Sequence, residues 1–125
     1  MEVCFCGNNE LFERCCKPFI ERVVLPETAK QLMRSRYSAY CVKNINYLYD
    51  TTDPIKRFLT SKSAIKKWAN KTEWQRLEIV RSEYDLVEFR AFYKEVGSEK
   101  IHVHHEVSRF RLENKQWYYV EGSEG

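Results

Sequence analysis

The 125-residue sequence has little glycine or proline, with four and three residues of each. That scarcity excludes collagen-like and low-complexity proteins, which depend on these residues. The sequence also lacks any run of the roughly 20 apolar residues that a transmembrane helix requires, so we expect no membrane insertion. Its first residues, Met1–Cys4, lack the basic start and the apolar stretch of a secretory signal. These absences predict a cytoplasmic globular protein with one main domain.

Neither sign of charge dominates, because 21 Lys and Arg residues stand against 18 Asp and Glu, a formal net charge of +3. This excess is too small to indicate a nucleic-acid-binding protein by itself. The distribution is uneven, however. Residues 30–71 hold ten basic and two acidic side chains, whereas segments 1–29 and 72–125 are each net acidic. The basic middle segment could dock an acidic flank of the chain or an acidic partner.

Apolar side chains at spacings of three and four predict helices in the first half of the chain. The longest predicted helix covers roughly 27–43. A second follows over about 44–49, with the first residue of that range as its cap. A third begins at a cap on Ser61 or Ser63 and ends near Ala69.

From Trp74 onward the apolar period changes to two, which is typical of β-strands. Four strands joined by short turns predict an antiparallel meander, and with the helices upstream the class is α+β. The third strand contains a conflict, because Val103 and Val107 point to one face and Phe110 to the other. We therefore expect a β-bulge between about Glu106 and Phe110, and a strongly bent sheet.

Four of the five cysteines lie near the N-terminus, in the pattern Cys4-x-Cys6-x8-Cys15-Cys16. Structural Zn²⁺ sites have four tetrahedral ligands and favour thiolate sulfur, so the count and the residue type both fit. Disulfides or scattered buried thiols are the alternatives. A reducing cytosol disfavours disulfides, and bridging adjacent cysteines would be strained. The pattern predicts a zinc site, with residues 1–18 folding only when the metal is bound.

Several segments together resemble a known family. The stretch Cys4–Pro18, with its paired cysteines and a Gly-Asn-Asn turn, is similar to the SEC-C zinc motif. That motif ends many copies of the translocase motor SecA and opens the YchJ-like family of small bacterial proteins. Leu32–Tyr40, Tyr47-Leu48, His105–Phe110 and Trp117–Gly122 resemble the later signatures of the same family. The resemblance covers nearly the whole chain.

The resemblance implies a cystatin-like or nuclear-transport-factor-2-like (NTF2-like) cone over residues 19–125. In this fold, N-terminal helices pack on a curved four-stranded antiparallel sheet, and here a small zinc knuckle at residues 1–18 precedes them. The family's zinc ligands correspond to Cys4, Cys6, Cys15 and Cys16. Phe5 stands where the motif usually has proline, and Thr51–Pro54 replaces the family's Thr-Trp-His-Pro, so the family's histidine is missing. The family has no agreed activity, so the resemblance implies a fold and a metal but no function.

A cavity inside the predicted cone is a second candidate site. The residues predicted to converge there as possible ligand-binding groups are Arg36, Tyr37, Asp53, His105, Glu106 and Arg109. Buried histidine and arginine beside a carboxylate can bind an acidic ligand or transfer protons, or can form a satisfied network that joins helix to sheet. Asp53 could act as a general base, by analogy with isomerases of this fold, or could cap a turn. A pocket of about 300 Å³ or more is the test of this small-molecule interpretation, because that is the lower limit for ligands of ordinary drug size.

Two further histidines lie on the third predicted strand. His102 and His104 share a strand face with Glu106, and that arrangement can ligate a metal. The simpler interpretation, which we favour, is that both histidines face solvent on a half-exposed sheet.

The basic segment 56–71 is a third candidate. It places Lys62, Lys66 and Lys67 on one predicted helix beside Trp68. Such a patch could contact RNA phosphates, although an ordinary solvated helix face is commoner.

Among these possibilities the sequence favours an adaptor. A closed four-thiolate site leaves no open position for catalysis, and the SEC-C motif of SecA contacts ribosomes and the chaperone SecB. We therefore expect a zinc-binding module that contacts a protein partner, such as a ribosome or chaperone, through its knuckle. A small-molecule binder or enzyme that uses the cavity is the alternative, and RNA contact is a weaker one. The sequence contains no nucleophile–base pair at a suggestive spacing, no phosphate-binding glycine loop and no open metal triad. It therefore does not indicate an enzyme.

Overall fold

The structure is a computed structural model that describes residues 2–124. Its helices are α1 (Lys17–Ile20), α2 (Ala29–Cys41), α3 (Ile45–Asp50) and α4 (Lys62–Lys71), with 3₁₀ turns at Phe12–Arg14 and Arg57–Leu59. Its strands are β1 (Thr72–Glu83), β2 (Leu86–Glu95), β3 (His102–Glu113) and β4 (Gln116–Glu124). They form one antiparallel sheet in the order β1-β2-β3-β4. The predicted α+β class and strand meander are confirmed.

Short polar side chains start the three longer helices. Thr28, Asn44 and Ser61 each accept a hydrogen bond from the backbone N–H three residues on, at 3.0–3.1 Å. Each cap satisfies one of the free N–H groups at a helix start. The predicted caps of α3 and α4 are confirmed, whereas α2 is two residues shorter at each end than its periodicity predicted. None of the described helices has the length and apolarity needed to cross a bilayer.

The helices pack on the inner face of the sheet around one apolar core. Leu32 of α2 and Leu48 of α3 meet Val87 and Phe89 of β2 and Trp117 of β4 in the same buried cluster. Full burial of such a side chain contributes about 1.5–3 kcal/mol, so this contact fixes the helical layer on the sheet.

Register irregularities occur in the two outer strands, and each will bend its strand. β1 carries an extra residue at Gln75 and another at Val80, and β4 carries one at Val120. The register between β3 and β4 shifts between Arg109 and Phe110, inside the interval predicted for a bulge. The inserted residue belongs to β4, however, so it leaves the alternation of β3 unchanged.

β3 therefore keeps one alternation of faces along its length. Ser108 and Phe110 are buried on the inner face, whereas Val103 is 51% exposed on the outer face. The expectation that a bulge brings Val103 and Val107 onto the same face as Phe110 was wrong. The expectation failed because the inner face of the first half of β3, which carries His104 and Glu106, is polar and lines a cavity.

The N-terminal segment packs directly on α2 and β1. Its Cys4, Cys6 and Cys16 belong to the same buried cluster as the core of the main fold. Arg34 of α2 donates a hydrogen bond to the Cys6 carbonyl oxygen at 2.6 Å. A division of the chain between residues 18 and 19 remains a prediction, but the two parts share one core.

Candidate functional site

A tight loop brings the four N-terminal cysteines together. An antiparallel bridge between Val3 and Leu11 closes the loop. Gly7 and Asn9 take positive φ angles of 82° and 52°, which allow the chain to reverse between the two cysteine pairs. Cys16 immediately precedes α1, so the second pair is held at a helix start.

The sulfur atoms have the spacing of a tetrahedral metal site. All four Sγ atoms lie within 4.8 Å of one another. Cys6 Sγ lies 3.6 Å from Cys15 Sγ, which lies 4.0 Å from Cys16 Sγ. Four sulfurs bound to zinc at about 2.3 Å stand about 3.8 Å apart in tetrahedral geometry. The cysteines are free, and the residues fit zinc; zinc itself stays a prediction.

The electrostatics of the cluster also indicate a cation. Hydrogen bonds from the thiols of Cys16 and Cys6 hold the pKa of Cys4 well below its ordinary value. The pKa of Cys16 is raised, first by its bond to Cys4, and burial followed by the charge of Cys6 raises that of Cys15 to about 12. Without a positive charge, ionisation of one thiol therefore opposes that of its neighbours. A divalent cation ligated by all four removes this conflict.

The cluster is closed to solvent on most sides. Cys6 and Cys16 are 0% and 1% exposed, and Cys4 Sγ lies 3.5 Å from Ser38 Oγ of α2. Four protein sulfurs complete a tetrahedral shell and leave no position for a substrate, which is typical of a structural site. Within residues 2–124, no other group of His, Cys, Asp or Glu side chains converges in this way.

The outer side of the cysteine loop carries an apolar groove with acidic side chains, here called the knuckle groove. Its volume is about 340 Å³, and it is lined by Glu2, Phe5, Leu11, Phe12, Glu13 and Val42. The Phe5 and Phe12 rings meet edge to face, with centroids 5.4 Å apart. Phe5 is 39% exposed and Val42 41%, so apolar surface remains open to solvent beside two carboxylates.

A second concavity, here called the inner cavity, lies between the helices and the sheet. Its volume is about 120 Å³, and its lining residues are Met33, Arg36, Tyr37, Tyr40, Trp68, Trp74, Phe89, Ala91, His104, Glu106, Ser108 and Tyr119. This is below the roughly 300 Å³ expected of a typical small-molecule pocket. It is close to the size of an engineered cavity, about 150 Å³, that accepts benzene. Any ligand is therefore small.

Glu106 of β3 anchors a network on the sheet side of the inner cavity. Its Oε1 lies 2.8 Å from His104 Nε2, and its Oε2 accepts hydrogen bonds from Ser108 and, at 3.2 Å, from the Tyr119 hydroxyl. The side chain crosses Gly122 of β4 so closely that a Cβ there would overlap the carboxylate. Glycine at this position therefore makes room for the network.

These contacts also shift the pKa values of Glu106 and His104. Burial would raise the pKa of Glu106, but hydrogen bonds from His104 and Ser108 outweigh it and leave that pKa below its usual range. The hydrogen bond to Glu106 raises the pKa of His104. Near neutral pH the carboxylate is therefore ionised and largely compensated by its donors.

Two side chains that line the inner cavity have donors without the partners expected for their type. Arg36 is 8% exposed, and its Nη1 donates to Leu48 O at 2.8 Å and Thr51 Oγ1 at 2.7 Å. Its guanidinium lies 4.6 Å from the Tyr119 ring centroid and makes no ion pair with the described residues. The buried indole Nε1 of Trp74 has no acceptor among them either.

The structure separates the six residues predicted to converge on the cavity. Arg36, Tyr37 and Glu106 line it, whereas His105 and Arg109 lie on the outer face of the sheet. His105 Nε2 lies 2.7 Å from a Glu88 carboxylate oxygen there. The expectation for His105 and Arg109 is corrected, because side chains of a regular strand alternate and their even-numbered neighbours face inward.

Asp53 also lies away from the inner cavity. Its carboxylate accepts hydrogen bonds from Ile55 N at 3.1 Å and from Arg111 Nη2 at 2.9 Å. The bond from Arg111 lowers the pKa of Asp53. Asp53 therefore caps a turn and ties it to β3, which agrees with the simpler of its two sequence interpretations and not with a cavity base.

The sequence placed His104 in the solvent and on the face of Glu106. Its side chain is 43% exposed, but it also lines the inner cavity, which the sequence did not predict, and His102 stacks on Tyr93 with ring centroids 5.2 Å apart. The available signal was the alternation that links His104 to buried Phe110 without any bulge in β3. Nothing in the sequence predicted that the indole N–H of Trp74 would lack a hydrogen-bond acceptor.

The basic segment 56–71 has fewer side chains available for a partner than its composition suggests, because some of them contact the rest of the fold. Arg57 Nη2 donates to Asp50 O at 2.7 Å, at the end of α3. Trp68 is half-buried, with its ring centroid 6.0 Å from that of Trp74, so it lines the cavity. The exposed remainder is the lysine face of α4, formed by Lys62, Lys66 and Lys67.

Comparison with known proteins agrees with this description. A family model described as the YchJ middle NTF2-like domain matches residues 28–122. A UPF0225 protein of Actinobacillus succinogenes is 40% identical over 97% of this chain and 81% of its own length. A UPF0225 protein of Geobacter sulfurreducens is 35% identical over 96% and 78%.

Two solved structures share the whole architecture. The solution structure of a SEC-C motif protein from Rhodopseudomonas palustris has a TM-score of 0.91, with 31% identity and 99% of both chains covered. The crystal structure of a SEC-C motif protein from Psychrobacter arcticus has a TM-score of 0.84, with 29% identity, covering 97% of this chain and 81% of the other. With its NTF2-like sheet, its N-terminal cysteine cluster and these relatives, the chain belongs to the YchJ-like UPF0225 family of SEC-C motif proteins.

Proposed function

We propose that the chain is a zinc-stabilised adaptor that docks a basic protein segment in its knuckle groove. The observation that carries this proposal is the composition of the groove, where exposed Phe5 and half-buried Phe12 lie beside the carboxylates of Glu2 and Glu13. Apolar surface with an acidic border fits a partner that presents an apolar side chain among basic ones.

Zinc would have a structural part in this function. Phe5 lies between two of the ligand cysteines, and the Phe12 carbonyl accepts a hydrogen bond from the N–H of a third, Cys15, at 3.1 Å. The same backbone turns therefore hold the sulfurs and the groove. Four thiolates on Zn²⁺ also leave a net charge of −2, which adds to the negative field of the groove.

The partner that we propose is the ribosome, through one of its basic proteins. The SEC-C motif resembled by this segment contacts ribosomes in SecA. A basic ribosomal protein offers the positive, partly apolar surface that the knuckle groove complements. The competing possibility is that the lysine face of α4 binds ribosomal RNA without specificity.

Charge reversal separates these two modes of binding. Purified zinc-loaded chain is sedimented with purified ribosomes, as wild type, as Glu2→Lys/Glu13→Lys and as a matched control, Glu83→Lys/Glu99→Lys. The control reverses two exposed carboxylates, Glu83 at the end of β1 and Glu99 in the loop between β2 and β3. Both variants gain the same positive charge, so attraction to RNA phosphates increases equally in each.

We expect wild type and the control to co-sediment with ribosomes, and the groove variant to bind about tenfold more weakly or worse. Removal of the metal with a chelator should abolish binding because the groove unfolds. Equal binding by the two variants, or stronger binding by both than by wild type, would show that RNA attraction dominates and would refute the proposal. So would unchanged binding after zinc removal, or no binding by wild type.

A further inference from the structure

The inner cavity has a charge imbalance that the adaptor function does not use. Glu106 accepts hydrogen bonds at both carboxylate oxygens, from His104 at 2.8 Å on one side and from Ser108 and Tyr119 on the other. Its charge is therefore compensated within the network. Arg36 has only neutral acceptors, the Leu48 carbonyl and a threonine hydroxyl, although it is 8% exposed. Glu106 lines the same cavity but makes no ion pair with Arg36, so the guanidinium has room for an anionic partner of its own.

A second donor close to the cavity is also unsatisfied. Trp74 lines the inner cavity, and its indole Nε1 is buried behind the cavity surface without an acceptor in residues 2–124. Buried indole N–H groups usually find a partner. By contrast, the buried indole of Trp117 donates to Glu27 O at 3.1 Å. The guanidinium of Arg36, rather than this indole, is therefore the group that an anion in the cavity would meet.

The rest of the lining favours an apolar body on that anion. Tyr37, Trp68 and Phe89 present ring surfaces to the cavity, and Ala91 leaves its floor open. The volume of about 120 Å³ limits such a body to roughly one aromatic ring or a short aliphatic chain. A phosphorylated sugar or a nucleotide is too large.

We propose that the inner cavity binds a small organic monocarboxylate, with its carboxylate at Arg36 and its apolar body against the aromatic residues of the lining, Trp74 among them. This site is independent of the knuckle groove and of any partner docked there. Its function is small-molecule binding at the centre of the NTF2-like fold.

The direct test uses benzoate, with benzamide as a neutral molecule of nearly the same shape. Titration of the zinc-loaded full chain is followed by the indole N–H resonances of its three tryptophans. We expect benzoate to shift the Trp74 indole saturably and to bind about tenfold or more tightly than benzamide, because only benzoate pairs with Arg36. The Trp117 indole, which already has an acceptor, should not shift.

Three variants locate the site. Arg36→Gln keeps a donor for the Leu48 carbonyl but removes the charge, and should weaken benzoate binding about tenfold or more. Ala91→Leu fills the floor of the cavity and should abolish binding. Arg109→Gln removes an exposed arginine from the outer face of the sheet and should leave binding unchanged.

The outcomes that would overturn the proposal are specific. They are the absence of saturable benzoate binding to wild type at about 10 mM, equal affinity for benzoate and benzamide, or unchanged affinity in Arg36→Gln or Ala91→Leu. If either cavity variant fails to fold, the comparison of the two ligands on wild type still decides the question.

Discussion

The cysteine cluster and the inner cavity both gather polar groups inside the protein, but they do so by different means. Four sulfurs of the cluster come from one short segment, residues 4–16. The cavity draws its polar groups from α2 and α4 and from β1, β3 and β4, and Arg36 and Glu106 are far apart in the sequence. The first arrangement depends on local turns, and the second on the packing of the whole fold.

The two regions are also opposite in charge balance. The cluster crowds four thiols whose joint ionisation would need a cation among them. The cavity has a compensated carboxylate at Glu106 and a spare cation at Arg36. The cluster therefore suits the structural cation, and the cavity the small anion, that are proposed above.

The largest effect is expected from breaking the cluster. Cys15→Ala removes one metal ligand and should lower the free energy of unfolding by about 3 kcal/mol or more, because metal binding is also folding energy. Denaturant unfolding with metal analysis measures the effect. Cys41→Ala is the matched control, since Cys41 is another half-buried cysteine outside the cluster, and should cost about 1 kcal/mol.

A similar loss in both cysteine variants, with metal retained by Cys15→Ala, would contradict a four-ligand site. It would also remove the distinction between a region stabilised by metal and one stabilised by packing.

An intermediate effect is expected from crowding the cavity network. Gly122→Ala places a Cβ against the Glu106 carboxylate and should cost about 1–2 kcal/mol of unfolding free energy. In a Glu106→Ala background the same change should cost little, since the obstructing side chain is gone. Denaturant unfolding of the four proteins in this double-mutant cycle measures the coupling. Equal costs in both backgrounds would show that Glu106 does not occupy this position.

The smallest effect concerns the His104–Glu106 pair. The folded pKa of His104 lies above 6.5 and that of Glu106 below 4.5, so both are charged most fully in the folded state between these values. Their contribution to stability should be largest there. It should decline as pH rises through the folded pKa of His104, and as pH falls through that of Glu106.

The measurement is the difference in unfolding free energy between wild type and His104→Gln across this pH range. We expect less than about 1 kcal/mol, because the His104 side chain is 43% exposed and screened by solvent. In Glu106→Gln, the NMR titration of His104 should move to lower pH. A His104 titration that is unchanged in that variant would contradict the pairing.

The fold and the cysteine cluster were predictable because their signals are local. Helix caps at Asn44 and Ser61, the change of period after Trp74, and the cysteine spacing each depend on neighbours in the chain. The structure confirms these features.

The cavity was only partly predictable because its contacts are tertiary. Apolar Val103 and Val107 suggested the inner face of β3, but the inner residues there include His104 and Glu106. Hydrophobic periodicity predicts that apolar side chains face inward and polar ones outward. Beside a polar cavity the polar side chains face inward instead, so the prediction fails there. Nothing in the sequence showed that the Trp74 indole would lack an acceptor.

The most direct test of this account is zinc K-edge X-ray absorption on the metal-loaded chain. Four sulfur ligands at about 2.3 Å, with no lighter atom in the shell, are the result expected of the closed site formed by the four cysteines. A shell of fewer sulfurs completed by oxygen or nitrogen at about 2.0 Å would contradict it, since such a site has an open position and is not purely structural.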